Sequence, residues 1–97
     1  VSDRFDDINF LENASEVLRA LAHPQRLAIV HLLRGGKKLS VTEIHQQIDI
    51  EQAVASHHLR ILKDRDVLLA QRDGKNIFYA LRSEAFQHVL EGLEKGV

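Results

Sequence analysis

The stretch Glu51-Gln-Ala-Val-Ala-Ser-His-His-Leu-Arg-Ile-Leu-Lys63 carries two stripes, both at helical spacing. Ala55, His58, Leu59 and Leu62 fall at i, i+3, i+4 and i+7, the spacing of a buried face. Ala53, Ser56, His57, Arg60 and Asp64 recur on a second face, which is polar, small at its N-terminal end and carries a guanidinium farther on. A helix over 52–65 divided in this way seats one side in a core and offers the other to a groove. The other elements must supply that core and leave the polar face open.

With 97 residues the chain is expected to form a single domain, 1–97, around one core of limited size. A first helix is expected from about Asp7 to Ala22, where Phe10, Leu11, Ala14, Val17, Leu18 and Leu21 recur at three and four. His23-Pro24 ends it, and Pro24 suits the first position of a second helix because its missing N–H has no partner there in any case. That helix runs to about Arg34, with Leu27, Val30 and Leu33 on one side, Ile29 and Leu32 beside them, and Gly35-Gly36 as its stop. Ser40-Val-Thr-Glu43 reads as a capping box opening a short third helix, Val41 to Ile48, with Ile44 and Ile48 inward. After the tight connection Asp49-Ile50-Glu51 comes the helix over 52–65, so the pair forms a helix-turn-helix. Glu51 is a mediocre N-cap there, and its carboxylate would repel phosphate.

Beyond Asp66 the period changes to two. Val67–Arg72 and Asn76–Arg82 alternate around Asp73-Gly74-Lys75, which predicts a hairpin, and a hairpin after a helix-turn-helix is a wing. Ser83 is a good N-cap for a last helix to about Lys95, striped by Phe86, Val89, Leu90 and Leu93 and weakened late by Gly92. The first and last helices both show more apolar surface than so small a core needs.

Composition sets limits. There is no cysteine, which excludes disulfides, thiolate metal sites and redox-sensing thiols in this chain. No apolar run approaches the roughly 20 residues of a membrane span. Val1-Ser-Asp-Arg-Phe-Asp-Asp lacks a basic-then-apolar leader, so a cytoplasmic location is expected. The net charge of −1 disfavours a polyanion partner, but the distribution favours one. Gln52–Arg82 holds six bases and three acids, whereas Val1–Ala22 holds two bases and five acids. No nucleophile elbow or glycine-rich phosphate loop is present, and the paired carboxylates Asp6-Asp7 sit near a chain end, so no catalytic residues and no enzyme are expected.

Three segments, Leu18-Arg-Ala-Leu-Ala-His-Pro-Gln-Arg-Leu-Ala-Ile-Val30, Val54-Ala-Ser-His-His-Leu-Arg-Ile-Leu-Lys63 and Asp73-Gly74-Lys75 followed by Phe78-Tyr79, resemble the ArsR/SmtB family of bacterial repressors, and the likeness runs from about Leu18 to Leu93. What the resemblance implies is a mainly α winged helix-turn-helix of order α-α-α-α-β-β-α, a homodimer through its first and last helices, and a transcriptional regulator, a repressor by expectation, binding a pseudo-palindromic operator in double-stranded DNA. The implied dimer residues are Phe10, Leu11, Ala14, Val17, Leu18, Phe86, Val89, Leu90 and Leu93. Many members sense metals. Here Ser40-Val41-Thr42 stands where one family site carries thiolates, and Ser83-Glu84-Ala85 where another carries Asp and His, with the chain ending near that site's second half. No metal and no cofactor are therefore expected. Three alternatives stay open for the sensory input: it is lost, it is replaced by an unidentified inducer, or it never existed.

Within this frame Ser56 and Arg60 are the base-edge candidates, since Arg grips guanine O6 and N7 with two parallel bonds and Ser serves any base. Gln52 can reach adenine or phosphate, and the Ala53 methyl can meet a thymine methyl. His57 faces the groove, whereas His58 lies on the apolar stripe and reads as a core histidine. Thr42, Gln46 and Lys63 are assigned to the DNA backbone, and Arg72 and Lys75 on the wing to phosphate or the minor groove. His23, His31 and His45 show no partners in the sequence. His88 and Glu91 at i, i+3 have metal-ligand spacing, but no third ligand accompanies them, which favours an interface histidine beside a solvated Glu. Two alternative functions stand beside the repressor: a winged-helix protein-interaction module, favoured by Glu51 and the net charge, and a repressor gated by an unidentified small molecule.

Overall fold

The computed structural model describes residues 3–97. Val1 and Ser2, which open the stretch read for a leader, lie outside the described residues. The helices are α1 (Ile8–Leu21), α2 (Pro24–Leu32), α3 (Val41–Gln47), α4 (Gln52–Asp64) and α5 (Ala85–Gly96), and the strands are β1 (Leu39–Ser40), β2 (Leu68–Asp73) and β3 (Asn76–Leu81). Single 3-10 turns at Arg4–Asp6 and Arg34–Gly36 precede α1 and follow α2. This is the expected winged helix-turn-helix with one correction. The wing is not a bare hairpin but a three-stranded antiparallel sheet of order β1-β3-β2. Leu39 and Ser40 pair with Tyr79 and Phe78, tying the start of the helix-turn-helix to the wing. Within the hairpin Asp73 pairs with Asn76, leaving a two-residue turn, Gly74-Lys75, in which Gly74 takes φ +64° without a Cβ penalty.

The helix ends follow local chemistry. Asp7 caps α1 by accepting from Asn9 N. Ser40 Oγ accepts from Glu43 N at 3.2 Å while Ser40 N donates to Glu43 Oε1 at 3.0 Å, so the capping box is complete. Ser83 Oγ accepts from Ala85 N at 3.1 Å and serves as the cap of α5, with Glu84 already in helical conformation. The exits of α3 and α4 use the same device. Asp49 (φ +56°) and Asp66 (φ +59°) adopt the left-handed conformation just past each helix, where Ile50 N donates to His45 O and Val67 N to Leu62 O. Aspartate tolerates that conformation better than most residues, because its short side chain bonds locally.

Ile29, Val30 and Leu33 from α2 and its end, Ile44 from α3, Leu59 and Leu62 from α4, and Val67 and Leu68 at the entry to the wing are all fully removed from solvent. They form one cluster, onto which Val17, Phe86 and Leu90 pack from the terminal helices. Those three residues therefore serve the core of this chain as well as any outer surface. Ile8, Leu18, Val89 and Leu93 remain exposed. Among the described residues, no helix is long and apolar enough to cross a membrane.

Because the capping box holds both ends of one turn, Ser40→Ala is expected to lower unfolding free energy by about 0.5–2 kcal/mol. Urea titration will register this as a lower midpoint with an unchanged slope.

Candidate nucleic-acid interface

The packing of α4 settles which of its faces is free. Ala55, His58, Leu59 and Leu62 are buried, as their spacing predicts, and Gln52, Ala53, Ser56, His57, Arg60 and Lys63 are all exposed. The exposed set runs the length of the helix as one strip, small near the N-terminus and basic at Arg60 and Lys63, with the exposed carboxylate of Asp64 at its end. Thr42 and Gln46 are exposed on α3, across the Asp49 turn. Glu51 precedes α4 with extended backbone and makes no side-chain cap, so its carboxylate is free beside the strip.

Arg72 and Lys75 are exposed at the far end of the hairpin. The strip on α4 and the wing tip thus stand on two separate elements, joined through the buried Val67-Leu68 corner. A cation that the sequence reading did not single out joins the wing. Lys38 Nζ donates to Gln71 Oε1 at 3.0 Å, across the face of β3. Only the β1–β3 pairing brings Lys38 there; the visible signal was the Lys37-Lys38 pair just before the strand.

Two histidines with no partner visible in the sequence have structural ones. His23 caps α2, its Nδ1 accepting from Gln25 N at 3.1 Å. His45 Nδ1 lies 3.2 Å from Ile50 O, bracing the turn between α3 and α4. His31 is exposed, as are His88 and Glu91, whose Nδ1 and Oε2 are 3.2 Å apart. Among the described residues no group of three His, Cys, Asp or Glu side chains is placed to hold a metal ion.

His58 is buried at 4 % exposure and is the one buried polar side chain among the described residues. Its Nε2 lies 2.7 Å from Gln25 Oε1 and its Nδ1 accepts from Arg26 Nε at 3.1 Å. Arg26 Nη1 also donates to Ala20 O at 3.2 Å. Burial, then the neighbouring charges of His23, Arg26 and His57, hold the pKa of His58 below the ordinary value of 6.5. At the other end of α4, Arg65 Nη2 lies 3.0 Å from Glu16 Oε2 on α1. The same carboxylate group also pairs with Arg19.

Residues 21–70 match the family model described as a helix-turn-helix domain. The chain is 38% identical over 80 residues to the transcriptional repressor SmtB of Mycobacterium tuberculosis, covering 82% of this chain and 58% of that one. It is 35% identical over 81 residues to the transcriptional repressor PagR of Bacillus anthracis, covering 84% of this chain and 81% of that protein. The crystal structure of PagR superposes with a TM-score of 0.80 over 90% of this chain and 99% of its own, at 33% identity. A homodimeric winged helix-turn-helix DNA-binding domain from Mycobacterium bovis superposes with a TM-score of 0.80 at 28% identity, over 97% of this chain and 84% of its own. With a buried and an open face on α4, a sheeted wing and these likenesses, the chain belongs to the ArsR/SmtB family of winged helix-turn-helix transcriptional regulators.

Proposed function

We propose that the chain acts as a homodimeric, non-enzymatic, cytoplasmic repressor that binds a pseudo-palindromic operator, each α4 entering a major groove. The observation that carries the reading is the division of α4: four side chains of one face are buried, and the opposite face is a continuous open strip of Gln52, Ala53, Ser56, His57, Arg60 and Lys63. An open strip of this width and chemistry suits a major groove, which admits one helix and presents a distinct pattern at each base pair. Arg60 and Ser56 read base edges, Gln52 and Ala53 the bases or backbone near the helix start, and His57 and Lys63 the backbone. Thr42 and Gln46 hold phosphate from α3, and Arg72 and Lys75, with Lys38 beside them, hold phosphate or the minor groove from the wing.

Dimerisation follows from what the single chain leaves uncovered. Leu18 on α1 is 56% exposed, and Leu93 on α5 is 45% exposed. Phe10, Leu11, Ala14, Val17, Phe86, Val89 and Leu90 complete those two faces, and the M. bovis domain of the same fold is homodimeric. Two copies joined there would place their α4 strips on half-sites about 10 bp apart, or a multiple of that. The protein-interaction reading keeps one specific observation, the free Glu51 carboxylate beside the strip.

Selection of bound duplexes from a random pool, with and without Zn(II), Ni(II) and a chelator, tests the function directly. Recovery of a two-fold repeated motif is the expected result, and a pool that stays unenriched removes the reading. Arg60→Ala is expected to cost about 1–3 kcal/mol of binding and to relax one base position; unchanged affinity and preference would unseat that assignment. For Lys75→Ala affinity should fall evenly across sequences, and the slope of log K against log salt should flatten by about one. The double change Leu18→Glu and Leu93→Glu should convert a species of twice the chain mass to monomer by light scattering, with loss of binding to the two-fold site.

A further inference from the structure

We propose that Gln25 and Arg26 of α2 are positioning residues for DNA binding: they grip the neutral imidazole of His58 by both ring nitrogens, set the rotation of α4, and let go when that ring takes a second proton. The inference rests on the reading of α4 as the DNA-entering helix. The geometry fixes the proton positions. An arginine Nε–H can only donate, so His58 Nδ1, 3.1 Å away, is an acceptor without a proton. The single ring proton therefore sits on Nε2 and donates to Gln25 Oε1 at 2.7 Å. Arg26 is itself held by the carbonyl of Ala20 near the end of α1, so the grip on α4 is anchored to two other helices. The neighbouring His23 ring is held too, its Nδ1 accepting from the Gln25 backbone N–H.

A second proton on His58 would lodge on Nδ1, against the Arg26 N–H, donor facing donor and charge facing charge. Every titratable or charged group near the ring opposes it. Arg26 lies on α2, the His23 ring centroid is 4.5 Å away, and that of His57 on α4 is 5.7 Å away. The direction of the linkage follows. His58 in the fold is held below the 6.5 of a free imidazole, so the grip is fully present above that value and is lost as pH falls through the lowered one. One proton taken up on release makes affinity fall by up to about tenfold per pH unit in that range. His57 lies on the open strip and is itself assigned to the DNA. The comparison therefore belongs in a His57→Gln background.

The experiment has two arms. In the free protein, nitrogen NMR of the imidazoles should show His58 as the Nε2–H tautomer at neutral pH, and amide exchange along α4 should quicken as His58 protonates. In the second arm, a duplex recovered from the random pool is titrated across pH. His57→Gln should lose affinity toward acid pH. Adding His58→Asn, whose amide oxygen can still accept from Arg26 but which does not ionise, should make the profile flat; this variant is read only for its slope. Adding His23→Asn instead, which keeps a cap on α2, should leave the acid loss in place. A neutral His58 carrying its proton on Nδ1, α4 protection indifferent to His58 protonation, or an acid loss that persists with His58→Asn would each overturn the proposal. If no duplex binds at any pH, the DNA reading fails, and the tautomer and exchange measurements still decide the grip.

Discussion

Leu59 and Leu62 sit in the core with no solvent exposure, and that burial fixes what the rest of α4 can do. Sinking two leucines costs the helix one face and leaves the other facing outward along its whole length. Their seat is built from Ile29, Val30 and Leu33 of the α2 region, Ile44 of α3 and the Val67-Leu68 corner. Each neighbour is thereby constrained too. α2 lies beneath α4, α3 abuts it across a four-residue connection, and the wing departs from its C-terminal end. A single apolar contact set orients all the surfaces assigned to the duplex.

The family's design separates reading from assembly, and the chain shows how a small fold manages both. The face proposed for reading DNA lies on α4 and the hairpin, and the exposed apolar residues Leu18, Val89 and Leu93 lie on α1 and α5. The two are not independent. Arg65, the residue that ends α4, is paired with Glu16 on α1, and Val17 and Phe86 reach from the terminal helices into the same core cluster. α1 and α4 therefore share contacts at the end of α4. The ion pair itself is half exposed and contributes little energy. The shared core cluster is the more substantial link between them.

The order of elements was legible in the sequence, because the signals that set it are local. Apolar spacing marked α1, α2, α4 and α5, the Ser40–Glu43 box marked α3, and Gly74 marked the hairpin, each within two or so residues of its observed bounds. Of the site, the open strip on α4 was legible for the same reason, since burial of one face of a helix dictates the other. What was not legible depended on distant parts of the chain. The two residues of β1 carry no strand pattern, and they become a strand only because Tyr79 and Phe78 arrive beside them. Lys38 gains its place on the wing through that pairing. His58 could be assigned to the core, but its partners lie 32 and 33 residues earlier, and no spacing rule links them. The cap that His23 gives α2 was not legible either, because a histidine in that place is rarer than Ser or Asp.

On the proposal that His58 sets the rotation of α4, the presence of an imidazole on that helix's buried face has a physical reason. Apolar burial is non-directional, so Leu59 and Leu62 fix how deeply α4 sits but only loosely its rotation about its own axis. On the proposed DNA reading, a small rotation would leave the leucines buried and swing Ser56 and Arg60 away from the base edges assigned to them, where bidentate contacts tolerate little misplacement. Hydrogen bonds are directional, and the proposed grip uses two on one ring, Nε2 donating to Gln25 and Nδ1 accepting from Arg26, to set that rotation. A leucine at position 58 would fill the space and add apolar burial, yet it would strand the Gln25 and Arg26 side chains and free the rotation. In the proposed arrangement His58 gives up some burial energy in exchange for angular precision on the open face.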